Sequence, residues 1–98
     1  MPTKKPQAGA ILHLNIHREF FAQIAAKTKR FEYRERTPYW QKRLEGRKYS
    51  VVQFRNGYAT KAPEMQVEFL DVKKIHKWGA PHYAIQLGRI LTSKRWKP

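Results

Sequence analysis

The chain has 98 residues, 41% hydrophobic and 13% aromatic, with 21 Lys and Arg against 7 Asp and Glu, a formal charge of +14. Such a length holds one compact domain, because two halves would each lack the apolar surface to offset their conformational entropy. The aromatic content argues for a folded chain, and the absence of cysteine excludes disulfides, thiolate metal sites and thiol nucleophiles.

The charge is the dominant feature. A field of that sign attracts polyanions, and neutralising phosphates releases condensed counterions, so affinity arises even without sequence reading. The competing readings are that the charge serves solubility, or draws the chain to an acidic membrane surface. Apolar runs such as Ala10-Ile11-Leu12 are too short to cross a bilayer, and the first residues lack a hydrophobic stretch of signal-peptide length. A soluble cytoplasmic protein is the expectation.

Residues 1–9 (MPTKKPQAG), with two Pro and paired Lys, read as a flexible basic arm. In residues 10–16 (AILHLNI), Leu12, Leu14 and Ile16 share one phase, which predicts a strand. Residues 17–27 (HREFFAQIAAK) change to helical spacing, with Phe20 and Ile24 one turn apart, Phe21 and Ala25 likewise, and Asn15 or His17 as cap. Residues 29–36 (KRFEYRER) alternate again: Phe31, Tyr33 and Glu35 point one way, Arg30, Glu32, Arg34 and Arg36 the other. Thr37-Pro38 is a cap followed by proline at the first helical position, and Gly46 stands where a helix ends, so residues 38–45 form a short helix carrying Tyr39, Trp40 and Leu44.

Residues 48–55 (KYSVVQFR) form a β-rich run closed by the hairpin signal Asn56-Gly57, with an irregular return through Ala62-Pro63. Residues 65–75 make the next strand, whose phase changes at Phe69-Leu70 and so predicts a bulge. Residues 82–91 (HYAIQLGRIL) are the last strand, and residues 92–98 (TSKRWKP) a basic tail. No acidic residue follows Asp71, which makes the C-terminal quarter a surface of one sign. Five strand-like runs with one or two short helices predict an α+β fold, a small mixed β-barrel or curled sheet spanning residues 10–91.

The order of these elements, with Lys29-x-x-Glu32-x-Arg34 after the first helix and Ile85-Gln86-Leu87-Gly88 in the closing strand, resembles the ASCH domain family, small PUA-like barrels associated with RNA. The similarity covers residues 10–91 and implies an RNA-associated function. The chain departs from the family pattern at Ala26-Lys27-Thr28, where a glycine usually precedes the signature, and at Gly46-Arg47, where the family has Gly-Asp. One branch of the family hydrolyses N4-acylated cytidine with a lysine, a threonine three residues later and a distant glutamate. Lys29 matches that lysine, Glu32 occupies the threonine position, and no glutamate follows Glu68. Metal-independent RNA cleavage is another activity of the family.

Glu32 and Arg34, two apart on a strand, share a face and either pair structurally or border a cleft. In the functional reading Lys29 and Arg34 clamp phosphate or base, with Arg30 and Arg36 adding charge, while Glu32 accepts hydrogen bonds from a base edge or acts as a general base. Tyr39 and Trp40 follow these cations directly and serve either core packing or base stacking. Trp78, beside Lys77, and Trp96, among Lys94, Arg95 and Lys97, lie outside any apolar periodicity and are stronger stacking candidates. His13 and His17 straddle a strand–helix junction, which does not suit a metal, and His76 and His82 read as loop residues or phosphate donors. No metal or cofactor is expected. The reading that follows is an RNA-binding module; the alternatives are a ribonuclease or an amidohydrolase using Lys29 and Glu32, or an adaptor for an acidic protein.

Overall fold

The alternation of residues 10–16 does form a strand, β1 (Ala10–Asn15), with Leu12 and Leu14 buried. The computed structural model describes residues 9–97, so most of the expected basic arm, and Pro98 of the tail, lie outside the described residues. Helix α1 (Arg18–Ala25) buries Phe21 and Ile24 and leaves Phe20 37% exposed, so the apolar pair is spaced i, i+3. His17 is its extended N-cap but its side chain makes no capping bond. Asn15 is engaged elsewhere: its amide donates to the Gly57 carbonyl and its Oδ1 accepts from Gly57 N. The helix ends on Lys27 at φ 65°, so a lysine takes the left-handed position that glycine usually fills.

Strand β2 (Phe31–Glu35) leads to α2 (Pro38–Leu44), where the Thr37 hydroxyl accepts from Trp40 N at 3.2 Å and Gly46 takes φ 72°. These are the cap, first-turn proline and terminating glycine expected of that segment. Then come β3 (Tyr49–Arg55), β4 (Glu64–Lys77) and β5 (Ala80–Lys94).

The five strands form one mixed sheet in the order β1-β3-β4-β5-β2, with β1 parallel to β3 and the other pairs antiparallel. The expected barrel is not closed by a backbone ladder, since β1 and β2 stand at opposite ends of this order. A side chain reaches between those ends: Arg34 Nη2 on β2 lies 3.4 Å from the Asn15 carbonyl on β1.

Two connections differ from expectation. Asn56-Gly57 opens an eight-residue loop, residues 56–63, instead of a two-residue turn; Asn56 N donates to the Pro63 carbonyl across its base. The two-residue hairpin is Trp78-Gly79, between paired Lys77 and Ala80, with φ of 52° and 74°. Positive φ at both central residues is the type I′ arrangement, whose twist matches that of the flanking strands. The phase change in β4 is a run of register shifts between Gln66 and Asp71. Strand β5 extends through Lys94, so Thr92 to Lys94 belong to the sheet and not to a tail.

One core joins these elements: Leu12, Leu14, Val52, Phe54, Met65, Val67, Tyr83, Ile85 and Leu87 from the sheet, Phe21 and Ile24 from α1, and Leu44 from α2. Both helices therefore cover the same face. No helix among the described residues is long and apolar enough to cross a membrane.

Candidate nucleic-acid interface

The register of β2 on β5 decides where its charges go. Glu32 lies opposite Ile85 and Arg34 opposite Tyr83, and both partners belong to the core. Glu32 and Arg34 of the charged phase thus look inward, while Phe31 and Tyr33 take the outer face, the reverse of a solvated charged row over an apolar one. Glu32 is 5% exposed. A carboxylate so desolvated needs compensating charge. Arg34 supplies it through Nη2 at 2.7 Å and Nε at 2.9 Å, and Lys29 Nζ lies 3.6 Å from the other oxygen.

Those two cations also meet aromatic rings. The Arg34 guanidinium stands 5.0 Å from the Trp40 ring centre, and Trp40 packs edge-on against Tyr39, whose own ring carries Arg43 at 4.4 Å. Lys29 Nζ is 5.2 Å from both the Tyr33 and the Phe20 rings. Lys77 Nζ is 4.7 Å from the Tyr33 ring and 4.8 Å from that of Trp78, and Trp78 meets Tyr33 and His82 edge-on at 5.5 and 5.2 Å. A continuous belt results, running Arg43, Tyr39, Trp40, Arg34, Glu32, Lys29, Tyr33, Lys77, Trp78. It wraps β2, one of the two end strands of the sheet, instead of lying on one wall. Alternating cations and rings are held here by contacts worth about 0.5–1 kcal/mol each at exposed sites. Both partner types are ones that a nucleotide also uses, phosphate with the cations and base with the rings.

Arg30 and Arg36 stand apart from this belt. The exposed Arg30 lines a cleft with Lys27, Lys29 and Arg89 over Ile24, Leu87 and Ile90, and its carbonyl accepts from Leu87 N at 2.9 Å. Arg36 borders a polar recess with Gln41, Glu45, Lys74 and Tyr83. There the buried Tyr83 hydroxyl donates to Glu45 Oε2 at 2.5 Å. Burial, followed by this bond to the carboxylate, pushes the Tyr83 phenol up to about 12. The same hydroxyl, together with Lys74, holds Glu45 below its ordinary carboxylate value.

Trp96, expected to stack on bases, packs instead on Phe21 at 4.8 Å with Arg18 4.7 Å from its ring, and so ties the end of the chain to α1. Of the two rings, Trp40 packs partly buried against the core, the packing role, whereas Tyr39 is 57% exposed. His13 on β1, His17 at the α1 N-cap and His76 on β4 are exposed; His82 is buried on β5, its Nδ1 3.0 Å from the Ala80 carbonyl, so both His76 and His82 belong to strands and not to loops. No cluster of three or more His, Asp or Glu suited to a metal occurs among the described residues. Sequence reasoning missed Tyr33, Phe20 and Arg43. Tyr33 was legible as the ring between Glu32 and Arg34; Phe20 was assigned to the core by helical spacing, and Arg43 carries no local signal beyond its i+4 relation to Tyr39.

No family model, curated protein or solved structure matches the chain.

Proposed function

We propose that this chain binds RNA along the outer edge of its sheet, on a curled PUA-like scaffold of the ASCH kind. The carrying observation is the continuous belt of cations and rings around β2, set in a chain of +14. Glu32 anchors Arg34 and Lys29 from beneath, so their heads are presented in fixed positions before any ligand arrives, which lowers the ordering entropy of binding. Phosphates meet Arg43, Lys29 and Lys77; the exposed rings of Tyr39 and Trp78 contribute stacking that tolerates any base. The test is anisotropy of a labelled 12-nucleotide RNA over a range of salt. Affinity that falls linearly in log–log form as salt rises supports the reading, and absence of binding at low salt refutes it.

A second reading rests on the separation of 3.6 Å between Lys29 Nζ and Glu32 Oε1. At that distance the two are an ion pair outside direct hydrogen-bond reach, and a small closure or one bridging water would let them exchange a proton, as a hydrolase of RNA or of N4-acylated cytidine would need. Incubation with labelled RNA and with N4-acetylcytidine separates the two readings, because a binder leaves both intact. If turnover is present and Lys29→Ala retains it in full, Lys29 has no part in the chemistry.

A further inference from the structure

The tip of the β4–β5 hairpin is built against local preference. Type I′ turns favour Asn, Asp or Gly at their first central position, because φ is positive there. This turn places Trp78 at φ 52°, ahead of Gly79. A bulky residue in the left-handed region is an outlier that surrounding structure must hold in place. The ring is not there to fill the core, since Trp78 is 71% exposed. Its neighbours are nonetheless arranged around it: Tyr33 and His82 meet it edge-on at 5.5 and 5.2 Å, and Lys77 Nζ lies 4.8 Å from its centre. Lys77 also contacts Tyr33, so its ammonium bridges the two rings.

We infer that Trp78 is a stacking platform for one unpaired base, with Lys77 receiving the adjoining phosphate, so that the RNA taken by this protein is single-stranded. This rests on the RNA-binding reading and names the ligand class within it. A base inside a duplex has both faces covered by its neighbours and presents none to a protruding indole, whereas an unpaired base is free to lie flat on the open face of Trp78. Phosphate contacts by Lys29, Lys77 and Arg43 are by contrast available in either form of RNA. Trp78 therefore carries the discrimination, and the cations carry the affinity common to both.

The decisive variant is Trp78→Asn, which removes the ring and suits positive φ better than tryptophan does. Anisotropy is measured with a 12-nucleotide single strand and with the same sequence as a duplex. The parent protein is expected to prefer the single strand by about tenfold or more. Trp78→Asn should lose roughly 5- to 150-fold on the single strand, the range of one stacking contact, while its duplex affinity stays within about twofold. Thermal unfolding within a few degrees of the parent would show that the loss is not one of folding. Trp78→Gly, equally at ease in the turn, should reproduce the effect, and Trp78→Tyr should restore most of the preference. Equal binding of both RNA forms by the parent, or undiminished single-strand binding by Trp78→Asn and Trp78→Gly, overturns the inference and leaves RNA binding standing. Failure of the parent to bind either form removes the RNA-binding reading itself, and this inference with it.

Discussion

Arg34 holds Glu32 by two nitrogens on one carboxylate oxygen, Nη2 at 2.7 Å and Nε at 2.9 Å, on the face of β2 that looks toward the core. The pair is unequal in exposure: the Glu32 side chain is 7% exposed and that of Arg34 is 20%. Removing the arginine leaves a desolvated carboxylate with Lys29 alone, and breaking a buried pair from one side is more damaging than deleting both partners. Arg34→Ala should therefore lower unfolding stability by roughly 2–4 kcal/mol, somewhat under the fully buried range because the guanidinium keeps contact with water. Glu32→Gln combined with Arg34→Ala should be more stable than the sum of the single losses predicts. Urea denaturation of the two single variants and the double measures this coupling, and strict additivity would show that the pair is not one unit.

Lys77 faces two rings at the far end of the belt, whereas the Lys97 side chain is exposed near the chain's end, where its carbonyl accepts from Arg18. Neither lysine holds the fold together through a buried ion pair, so substitution reads out binding and not stability. Lys77→Gln should reduce the salt slope of RNA binding by about 1, the loss of one phosphate contact. Lys97→Gln should change both slope and affinity less. Equal effects would indicate a diffuse electrostatic attraction with no preferred edge.

Tyr83 and Glu45 set opposite pH limits on one hydrogen bond. The phenol is pushed from its ordinary 10.0 up to about 12 by burial and by Glu45, so its contribution is complete below pH 10 and is lost as pH rises toward 12. The Tyr83 hydroxyl, together with Lys74, holds Glu45 below its ordinary 4.5, so that contribution is present above pH 4.5 and is lost as pH falls through the lowered value. Tyr83→Phe should flatten the stability profile at both extremes while lowering the plateau between them. Thermal unfolding across the pH range checks this; an alkaline limb unchanged in Tyr83→Phe would assign it to other groups.

What could be foreseen from sequence follows from how local each signal is. Thr37, Pro38 and Gly46 act within single turns, and they mark both ends of α2 as placed. The alternation of residues 29–36 gave the strand but not which phase faces the core, because its apolar and charged residues suggest the opposite of what register on β5 imposes. Asn56-Gly57 is a strong turn signal, yet Asn15 ties Gly57 to the end of β1 and the chain loops for eight residues before pairing resumes. Trp78-Gly79 was invisible as a turn because tryptophan is not a turn residue. Of the rings Trp78 meets, His82 is only four residues on along the same hairpin, but Tyr33 lies on β2, 45 residues away. Trp96 was misjudged for the same reason: the apolar surface it covers, Phe21, is 75 residues away. The belt itself is a product of topology, assembled when β2 pairs with β5 and sets Tyr33 between Lys29 on one side and Lys77 and Trp78 on the other.

Gly88 offers a test of the bulged stretch of β4. A Cβ built there would lie 2.6 Å from Glu68 Oε1, 2.9 Å from Glu68 Cβ and 3.0 Å from Leu70 Cδ2. The carboxylate oxygen belongs to a flexible side chain, but it accepts from Arg89 N at 2.8 Å, so moving it breaks that bond. The Glu68 Cβ is fixed to the backbone of β4 and yields only if the strand shifts. Gly88→Ala should accordingly destabilise by roughly 1–3 kcal/mol through overpacking. Adding Glu68→Ala should recover part of this loss and not all, because it removes the oxygen contact and leaves the contact between the two Cβ atoms. Gly46→Ala is the contrasting case: nothing lies within 4 Å of its Cβ, and the strain is confined to φ 72°, a conformational penalty of order 1 kcal/mol that no second-site change at Glu68 should relieve. Thermal unfolding of the three variants and of Gly46→Ala with Glu68→Ala distinguishes steric crowding from backbone strain; full recovery of Gly88→Ala by Glu68→Ala would show that the strands adjust freely at the bulge.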